Sequence, residues 1–267
     1  MRGLLVRFNK PIAWLLLLGF IFAGYLIKQI WLKTNLSINR QLIVGTAAGY
    51  APFVSINING DYEGFDIDVA RLLAQELGKE LVIRDLGSMT SLLMALDQKQ
   101  VDLVIWGLSI TQDRLKKISM VHYYGASLAS YPLVFWQEIP AGVKGLHDLA
   151  GQTVCVEPGS AQEAVLDQYG LINKLPVEKI DDALLNIQYG KAVAALIEPV
   201  IAKKFSVKYP QIKTIDVLLA PNDQEQGLGI AMKQDRVELV LQIQQAIKKL
   251  KDRGSLLELA CKWGLDL

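Results

Sequence analysis

Two short stretches of this sequence combine residue types that bind a carboxylate. Residues 101–105 are a run of β-formers that leads into Gly107, Ser109 and Arg114, and residues 152–156 are a second such run. Each pattern predicts a strand, a glycine turn and a helix, so that free backbone N–H groups point past the carboxyl end of the strand. Arg114 adds a planar guanidinium that matches a carboxylate.

The second stretch carries a helix-start signal of its own. Ser160 and Glu163 have the spacing of a capping box, and a capped helix still offers free N–H groups to an anion. Glu198, just before Pro199, adds an acid at a third strand end. A cation, hydroxyls, amides and an acid together predict a site for a small zwitterion held between two lobes. The alternative is that Arg114 is a solvated surface residue, because a cation in the first helical turn opposes the helix dipole.

The bulk composition excludes several classes of protein. The chain has 267 residues, 51% of them hydrophobic, and a formal net charge of +1. This length can bury two lobes, and the absence of a basic stripe argues against a nucleic-acid partner. With only two histidines and two cysteines, we expect no metal, no cofactor and no Ser-His-Asp site.

The amino terminus has the pattern of a targeting segment. Arg2, Arg7 and Lys10 precede residues 11–27, which are uncharged and mostly apolar, and Lys28 follows them. At about 1.5 Å per helical residue, this stretch nearly spans a hydrocarbon core of roughly 30 Å. We interpret it as an uncleaved transmembrane anchor, with a cleaved signal as the alternative. The positive flank stays in the cytoplasm, which places the rest of the chain on the extracytoplasmic face of the inner membrane.

From residue 41 onward, strand and helix patterns alternate, which predicts an α/β fold built on parallel sheets. The predicted strands are residues 42–46, 81–85, 101–105, 152–156, 177–180 and 192–197. The predicted helices are residues 66–77, 88–98, 160–169, 181–189, 199–205, 237–250 and 256–263.

The same pattern predicts how the chain is divided. We interpret residues 1–33 as the anchor, residues 41–126 with 217–267 as lobe one, and residues 127–216 as lobe two. The long extended stretch at residues 123–136 and an irregular one at residues 215–229 are the expected crossings between the lobes. Loops beyond the carboxyl ends of the strands would then face each other across a cleft.

Several segments, in the right order, resemble the polar amino-acid binding proteins of bacterial ABC importers, solute-binding protein family 3. They are Val44-Gly45-Thr46, Tyr50-Ala51-Pro52-Phe53, Gly64-Phe65-Asp66-Ile67-Asp68, Val101-Asp102-Leu103 and residues 151–163. Leu196-Ile197-Glu198-Pro199 and residues 227–263 look closest to the arginine-binding members. The resemblance covers roughly residues 40–267 and implies a type II periplasmic-binding-protein fold of two Rossmann-like lobes.

The resemblance also implies roles for individual residues. Arg114 would bind the α-carboxylate of the ligand, helped by Ser109 and the backbone N–H of Ala161. Glu198, with the carbonyl of Gly107, would bind the α-ammonium. The remaining residues would shape the pocket for the ligand side chain: Tyr50, Met89, Trp106, Glu157 and Gln162.

Departures from the family pattern concern specificity. Many members that bind basic amino acids have an acid where this chain has Ala47, Trp106 replaces a small residue, and Val193 replaces an Asp. Glu157, Tyr50 and Trp106 could instead receive a guanidinium through charge pairing and ring-face attraction. Alternatively, Trp106 and Met89 could form an apolar slot.

These observations predict a monomeric binding protein that delivers a free L-amino acid to an ABC permease of the inner membrane. Arginine or another basic or polar amino acid is favoured. One alternative is a dehydratase of the cyclohexadienyl type on the same fold, in which Glu157 or Glu198 is a general acid. The other is a ligand-sensing module that signals through the amino-terminal helix.

Overall fold

Two five-stranded sheets organise the part of the chain that this computed structural model describes, which is Lys28 and residues 40–265. The strands are β1 (Gln41–Thr46), β2 (Ser55–Ile56), β3 (Tyr62–Glu63), β4 (Glu80–Asp85), β5 (Leu103–Val104), β6 (Ser119–Tyr124), β7 (Ser130–Trp136), β8 (Thr153–Val156), β9 (Asn173–Pro176), β10 (Ala194–Leu196), β11 (Ile212–Leu218) and β12 (Leu228–Met232). Sheet one has the spatial order β4-β1-β5-β12-β6, and sheet two has the order β9-β8-β10-β7-β11.

Helices alternate with strands along much of the described chain, as the pattern predicts, but no helix separates β1 from β2 and β3, β6 from β7 or β11 from β12. They are α1 (Phe65–Glu76), α2 (Met89–Asp97), α3 (Gln112–Leu115), α4 (Ala161–Leu166), α5 (Ile180–Gln188), α6 (Pro199–Lys208), α7 (Val237–Asp252) and α8 (Ser255–Lys262). A short 3-10 helix, Leu146–Leu149, precedes β8. The α/β class predicted from the sequence is confirmed.

Both sheets are mixed, so the prediction of parallel sheets is wrong in this respect. Strand β1 pairs with β5 in parallel, and β8 pairs in parallel with both β9 and β10. Strand β12 is antiparallel to β5 and β6, while β7 is antiparallel to β10 and β11. The alternating pattern could not show this, because β7 and β12 follow the long extended passages and not a crossover helix.

Two further predictions of local structure are wrong. The strand expected at residues 177–180 lies four residues earlier, at β9, where polar residues and a terminal proline suit an exposed edge position. The passage at residues 215–229 is not irregular throughout, because its first residues belong to β11 and its last two to β12. Only residues 219–227 remain as the connection between the two sheets.

The predicted anchor, residues 1–33, lies outside the described residues except for Lys28, so it stays a prediction. Among the helices that the structure describes, none combines the length and the apolar character that a membrane crossing requires.

The start of α1 depends on a glycine that has no room for a side chain. Gly64 has φ 130°, and a Cβ there would lie 2.0 Å from the Phe53 carbonyl oxygen. We expect Gly64→Ala to lower the free energy of unfolding by about 3 kcal/mol or more, because strain and overlap with backbone add up. Gly60→Ala is the matched control, because Gly60 has φ 87° but no atom lies within 4 Å of the added Cβ. We expect this substitution to lower the free energy of unfolding by about 1 to 2 kcal/mol. Denaturant unfolding measures both, and equal losses would contradict the steric argument.

Candidate ligand-binding site

The Arg114 guanidinium spans the two loops that the sequence singled out. Its Nη1 donates to the carbonyl oxygen of Ser109 at 2.8 Å, and its Nη2 donates to the carbonyl oxygen of Gly159 at 2.9 Å. The sulfur of Met89 lies 4.0 Å from Nη2. Arg114 is therefore not the solvated surface residue of the alternative interpretation, since it joins the loop after β5 to the loop after β8.

Local sequence explains why Arg114 points this way. The Thr111 side chain caps α3 by accepting a hydrogen bond from the Arg114 backbone N–H at 3.3 Å. Before it, Gly107 turns the chain with φ 55°, and a Cβ there would lie 2.9 Å from Cε1 of Tyr50. The cap is at Thr111, so the Ser109 carbonyl oxygen stays outside the helix and accepts from the guanidinium, while the Ser109 backbone bridges to Leu228.

A buried carboxyl group from another part of the chain holds the Gly107 turn in place. Asp66, in the first turn of α1, accepts hydrogen bonds from the Gly107 N–H at 2.6 Å and from the Tyr123 hydroxyl at 2.6 Å. Burial raises the pKa of Asp66 to about 7, although both hydrogen bonds oppose this shift. The carboxyl group thus ties the loop after β5 to α1 and β6.

The loop after β8 has the predicted cap with one difference. Ser160 Oγ accepts from the Glu163 N–H at 3.0 Å, as expected. The Glu163 carboxylate accepts in return from the N–H of Gly159, at 2.8 Å, and not from Ser160 itself. The capping box predicted from the spacing is therefore only half present. Ala161 begins α4, beside the Gly159 carbonyl that binds Arg114.

Two aromatic rings pack against each other near Glu198. The rings of Tyr50 and Trp106 have centroids 5.0 Å apart and planes tilted by 44°. Both side chains are buried, and the indole Nε1 donates to the Ala47 carbonyl oxygen at 2.7 Å. The Tyr50 hydroxyl interacts with the Glu198 carboxyl group, which links this pair of rings to the start of α6. The N–H of Trp106 is satisfied within the protein.

Three carboxyl groups surround Arg114. Burial, followed by the charge of Glu198, raises the pKa of Glu157 to about 9. Burial, followed by the charge of Glu225, raises the pKa of Glu198 to about 7. Burial also raises the pKa of Glu225, against hydrogen bonds from Tyr131 and Ser109 and the charge of Arg114. Within the described part of the chain, no such group of acids is arranged to hold a metal ion.

One unsatisfied polar atom marks the same region. The Nε2 atom of Gln162 is buried, and no described group accepts its protons. Because buried polar groups are almost always hydrogen-bonded in native proteins, this side chain points to a ligand. Glu157 nearby is a buried acid whose pKa burial raises to about 9.

Two cavities flank the packed side chains. One, of about 500 Å³, is bordered by Arg114, Gly159 and Ala161. The other, of about 320 Å³, is bordered by Gly107 and Glu198. The residues expected to bind a carboxylate thus border one cavity, and those expected to bind an ammonium border the other.

A family model agrees with this geometry. The model described as bacterial extracellular solute-binding proteins, family 3, matches residues 42–266. The chain belongs to this family. The resemblance stated from the sequence is therefore confirmed, and membership indicates an extracytoplasmic location for this solute-binding protein.

Individual relatives within this family are named as arginine-binding proteins. The probable ABC transporter arginine-binding protein ArtJ of Chlamydia trachomatis serovar D is 35% identical over 231 residues, which cover 85% of this chain and 87% of that protein. The arginine-binding extracellular protein ArtP of Bacillus subtilis is 32% identical over 228 residues, covering 84% and 86%. A crystal structure of a mutant of ArgBP from T. maritima matches with TM-score 0.76 and 29% identity, covering 87% of this chain and 99% of that one. The solute-binding protein is thus similar to amino-acid binding proteins over most of its length.

Contacts, shared cavities or electrostatic interactions link nine of the ten side chains or backbone groups that the sequence nominated: Tyr50, Met89, Trp106, Gly107, Ser109, Arg114, Glu157, Ala161 and Glu198. The tenth, Gln162, is buried in the first turn of α4. Their individual roles toward a ligand stay predictions.

Sequence reasoning missed Glu225 and Tyr131 in this solute-binding protein. Glu225 lies in the connection at residues 219–227 among other polar residues, so no pattern distinguished it. Its backbone pairs with Leu128 and its carboxyl group accepts from the Tyr131 hydroxyl on β7. Asp66 lies in a quoted motif, but nothing in that motif indicates its contacts with Gly107 and Tyr123.

Proposed function

We propose that this protein binds a free L-amino acid, arginine in first place, and delivers it to an ABC permease of the inner membrane. The observation that carries the proposal is the pairing of one guanidinium, that of Arg114, with the carboxyl groups of Glu157 and Glu198 in one buried site. The guanidinium of Arg114 would bind the α-carboxylate of an amino acid, and the carboxyl group of Glu198 would bind its α-ammonium.

The charge balance favours a cationic ligand. The carboxyl groups of Glu157, Glu198 and Glu225 all interact with Arg114, and burial raises the pKa of each above its usual value. A positively charged ligand side chain would favour their ionised forms. A neutral zwitterion leaves this balance unchanged, whereas arginine adds one positive charge. Glu157 is buried, and a guanidinium would pair with its carboxylate. The names of the relatives support the same choice.

Each nominated residue has a proposed role. Arg114, Ser109 and the Ala161 N–H bind the α-carboxylate. Glu198 and the Gly107 carbonyl bind the α-ammonium. The side chain of the ligand lies against the rings and side chains of Tyr50, Trp106, Met89, Glu157 and Gln162.

The arrangement of the whole chain is part of the proposal. Residues 41–126 with 217–267 form lobe one, residues 127–216 form lobe two, and closure of the lobes buries the ligand. Residues 1–33 tether the protein to the membrane, and the protein acts as a monomer. The pairing of Arg114 with Gly159 supports closure between these lobes.

A panel of amino acids tests the proposed ligand. We expect arginine to raise the melting temperature most, because a ligand at 100 times its dissociation constant stabilises by about 2.7 kcal/mol. Lysine, ornithine, citrulline, glutamine, histidine and cystine complete the panel, and titration calorimetry then gives the affinities. If no amino acid in the panel stabilises the protein, the proposal is refuted. If an uncharged amino acid stabilises it most, arginine is refuted as the preferred ligand.

One observation favours a second candidate, a dehydratase of the cyclohexadienyl type. Because its pKa is raised to about 9, Glu157 carries a proton at neutral pH and could donate it to a leaving hydroxyl. Incubation with prephenate or arogenate and chromatography of the products tests this activity. Turnover that disappears in Glu157→Gln would establish the enzyme, and its absence leaves the binding protein.

A further inference from the structure

A second cavity lies beside Glu198, the residue proposed to bind the α-ammonium of the ligand. Its volume of about 320 Å³ lies at the lower end of the range for small-molecule sites. Gly107 and Glu198, which are proposed to bind the α-ammonium, form part of its wall. A group attached to the α-nitrogen would therefore enter this cavity.

The remaining wall indicates what such a group should be. Most of the lining is apolar and comes from Phe53, Leu128, Pro199, Val200 and Leu228. Two carboxyl groups, Glu198 and Glu225, face the same space, and one cation, Lys203, also borders it. The cavity thus suits an apolar side chain that arrives together with a positive charge.

We propose that this protein also binds dipeptides with arginine at the carboxyl end and an apolar residue at the amino end, such as Leu-Arg. The arginine residue would occupy the amino-acid site, and the amino-terminal residue would occupy the cavity beside Glu198. This inference rests on the proposed function, since it places the terminal carboxylate on Arg114.

The groups at the junction can accept the peptide bond. Glu198 would accept a hydrogen bond from the peptide N–H in place of the ammonium. The ammonium moves by one residue, about 3.8 Å along the chain, into the space that Glu225 borders. An acyl group on the α-nitrogen, such as acetyl, would bring no positive charge into this space. An attached group with a carboxylate would lie beside the carboxyl groups of Glu198 and Glu225.

Titration calorimetry of the purified full-length protein with four ligands tests the inference. We expect Leu-Arg to bind within about tenfold of arginine, and Nα-acetyl-arginine at least about tenfold more weakly than Leu-Arg, because it lacks the ammonium. Arg-Leu, whose carboxylate is displaced from Arg114, should bind at least about 100-fold more weakly than arginine.

A pair of valines on α6 provides matched variants. Val200 borders the cavity, whereas Val207 is 79% exposed elsewhere on the same helix. Val200→Phe should weaken Leu-Arg by about 20-fold or more and change arginine by less than about threefold, because the added ring fills the cavity. Val207→Phe should change neither ligand.

The outcomes separate this inference from the proposed function. Arginine binding without Leu-Arg binding overturns the inference and leaves the proposed function standing. Failure of both ligands overturns both. Equal affinities for Leu-Arg and Nα-acetyl-arginine, or equal losses of arginine and Leu-Arg in Val200→Phe, also overturn the dipeptide assignment.

Discussion

Arg114→Ala is expected to abolish arginine binding, with a loss of at least about 3 kcal/mol, or roughly 150-fold in affinity. The substitution would leave the ligand carboxylate in a closed site without a cation. It would also leave the Gly159 carbonyl without its donor and three acids without their counter-charge. Titration calorimetry measures the loss, and micromolar binding by the variant would contradict the assignment.

Two further variants separate the role of the guanidinium from a general effect of charge. Arg114→Lys keeps the charge but not the planar fork that spans Ser109 and Gly159, so we expect an intermediate loss. Arg71→Ala removes another arginine of the same chain, which pairs with Asp68 away from the site, and should leave affinity unchanged. Circular dichroism checks that all three variants fold.

The two ligand-facing loops could be predicted because their signals are local. Gly107 before Arg114, and Gly159 before Ser160, lie within a few residues of the strands that they follow. Strand runs, glycine turns and helix starts depend on neighbouring residues, so sequence reasoning finds them. In the same way, the strand pattern at residues 192–197 and the proline at position 199 placed Glu198 just before a helix.

The rest of the site depends on contacts that are distant in sequence. Glu225 reaches Tyr131 across 94 residues, and Asp66 reaches Gly107 across 41. Nothing near either acid indicates its partner. The antiparallel strands β7 and β12 were missed for a related reason, because pairing direction follows from the path of the whole chain and not from the strand itself.

Glu157→Gln is expected to weaken arginine binding and to improve the relative binding of citrulline, its uncharged isostere. Removing the carboxylate should cost about 2 kcal/mol for arginine at pH 8.5, roughly 30-fold, because the guanidinium loses a buried partner. Citrulline has no charge to lose, and its ureido group can hydrogen-bond the new amide. Competition calorimetry measures the ratio, and an unchanged ratio would place the ligand side chain away from Glu157.

The pH dependence gives a second, independent measure of the same residue. Glu157 has a pKa of about 9 in this structure, and a bound guanidinium favours the ionised form, so arginine binding must release a proton. Affinity should therefore rise with pH up to about 9, by at most about tenfold per unit. Glu198, with a pKa of about 7, adds a similar slope only below that value.

In the interval between the two pKa values, Glu157 is the residue that changes its protonation most. The affinity for arginine should therefore rise from about pH 7 to 8.5 in the unmodified protein and stay level in Glu157→Gln. Glu178→Gln is the matched control, because Glu178 is exposed and raises the pKa of Glu157 only through its charge. It should keep the slope. A level profile in the unmodified protein would mean that Glu157 does not change its charge when arginine binds.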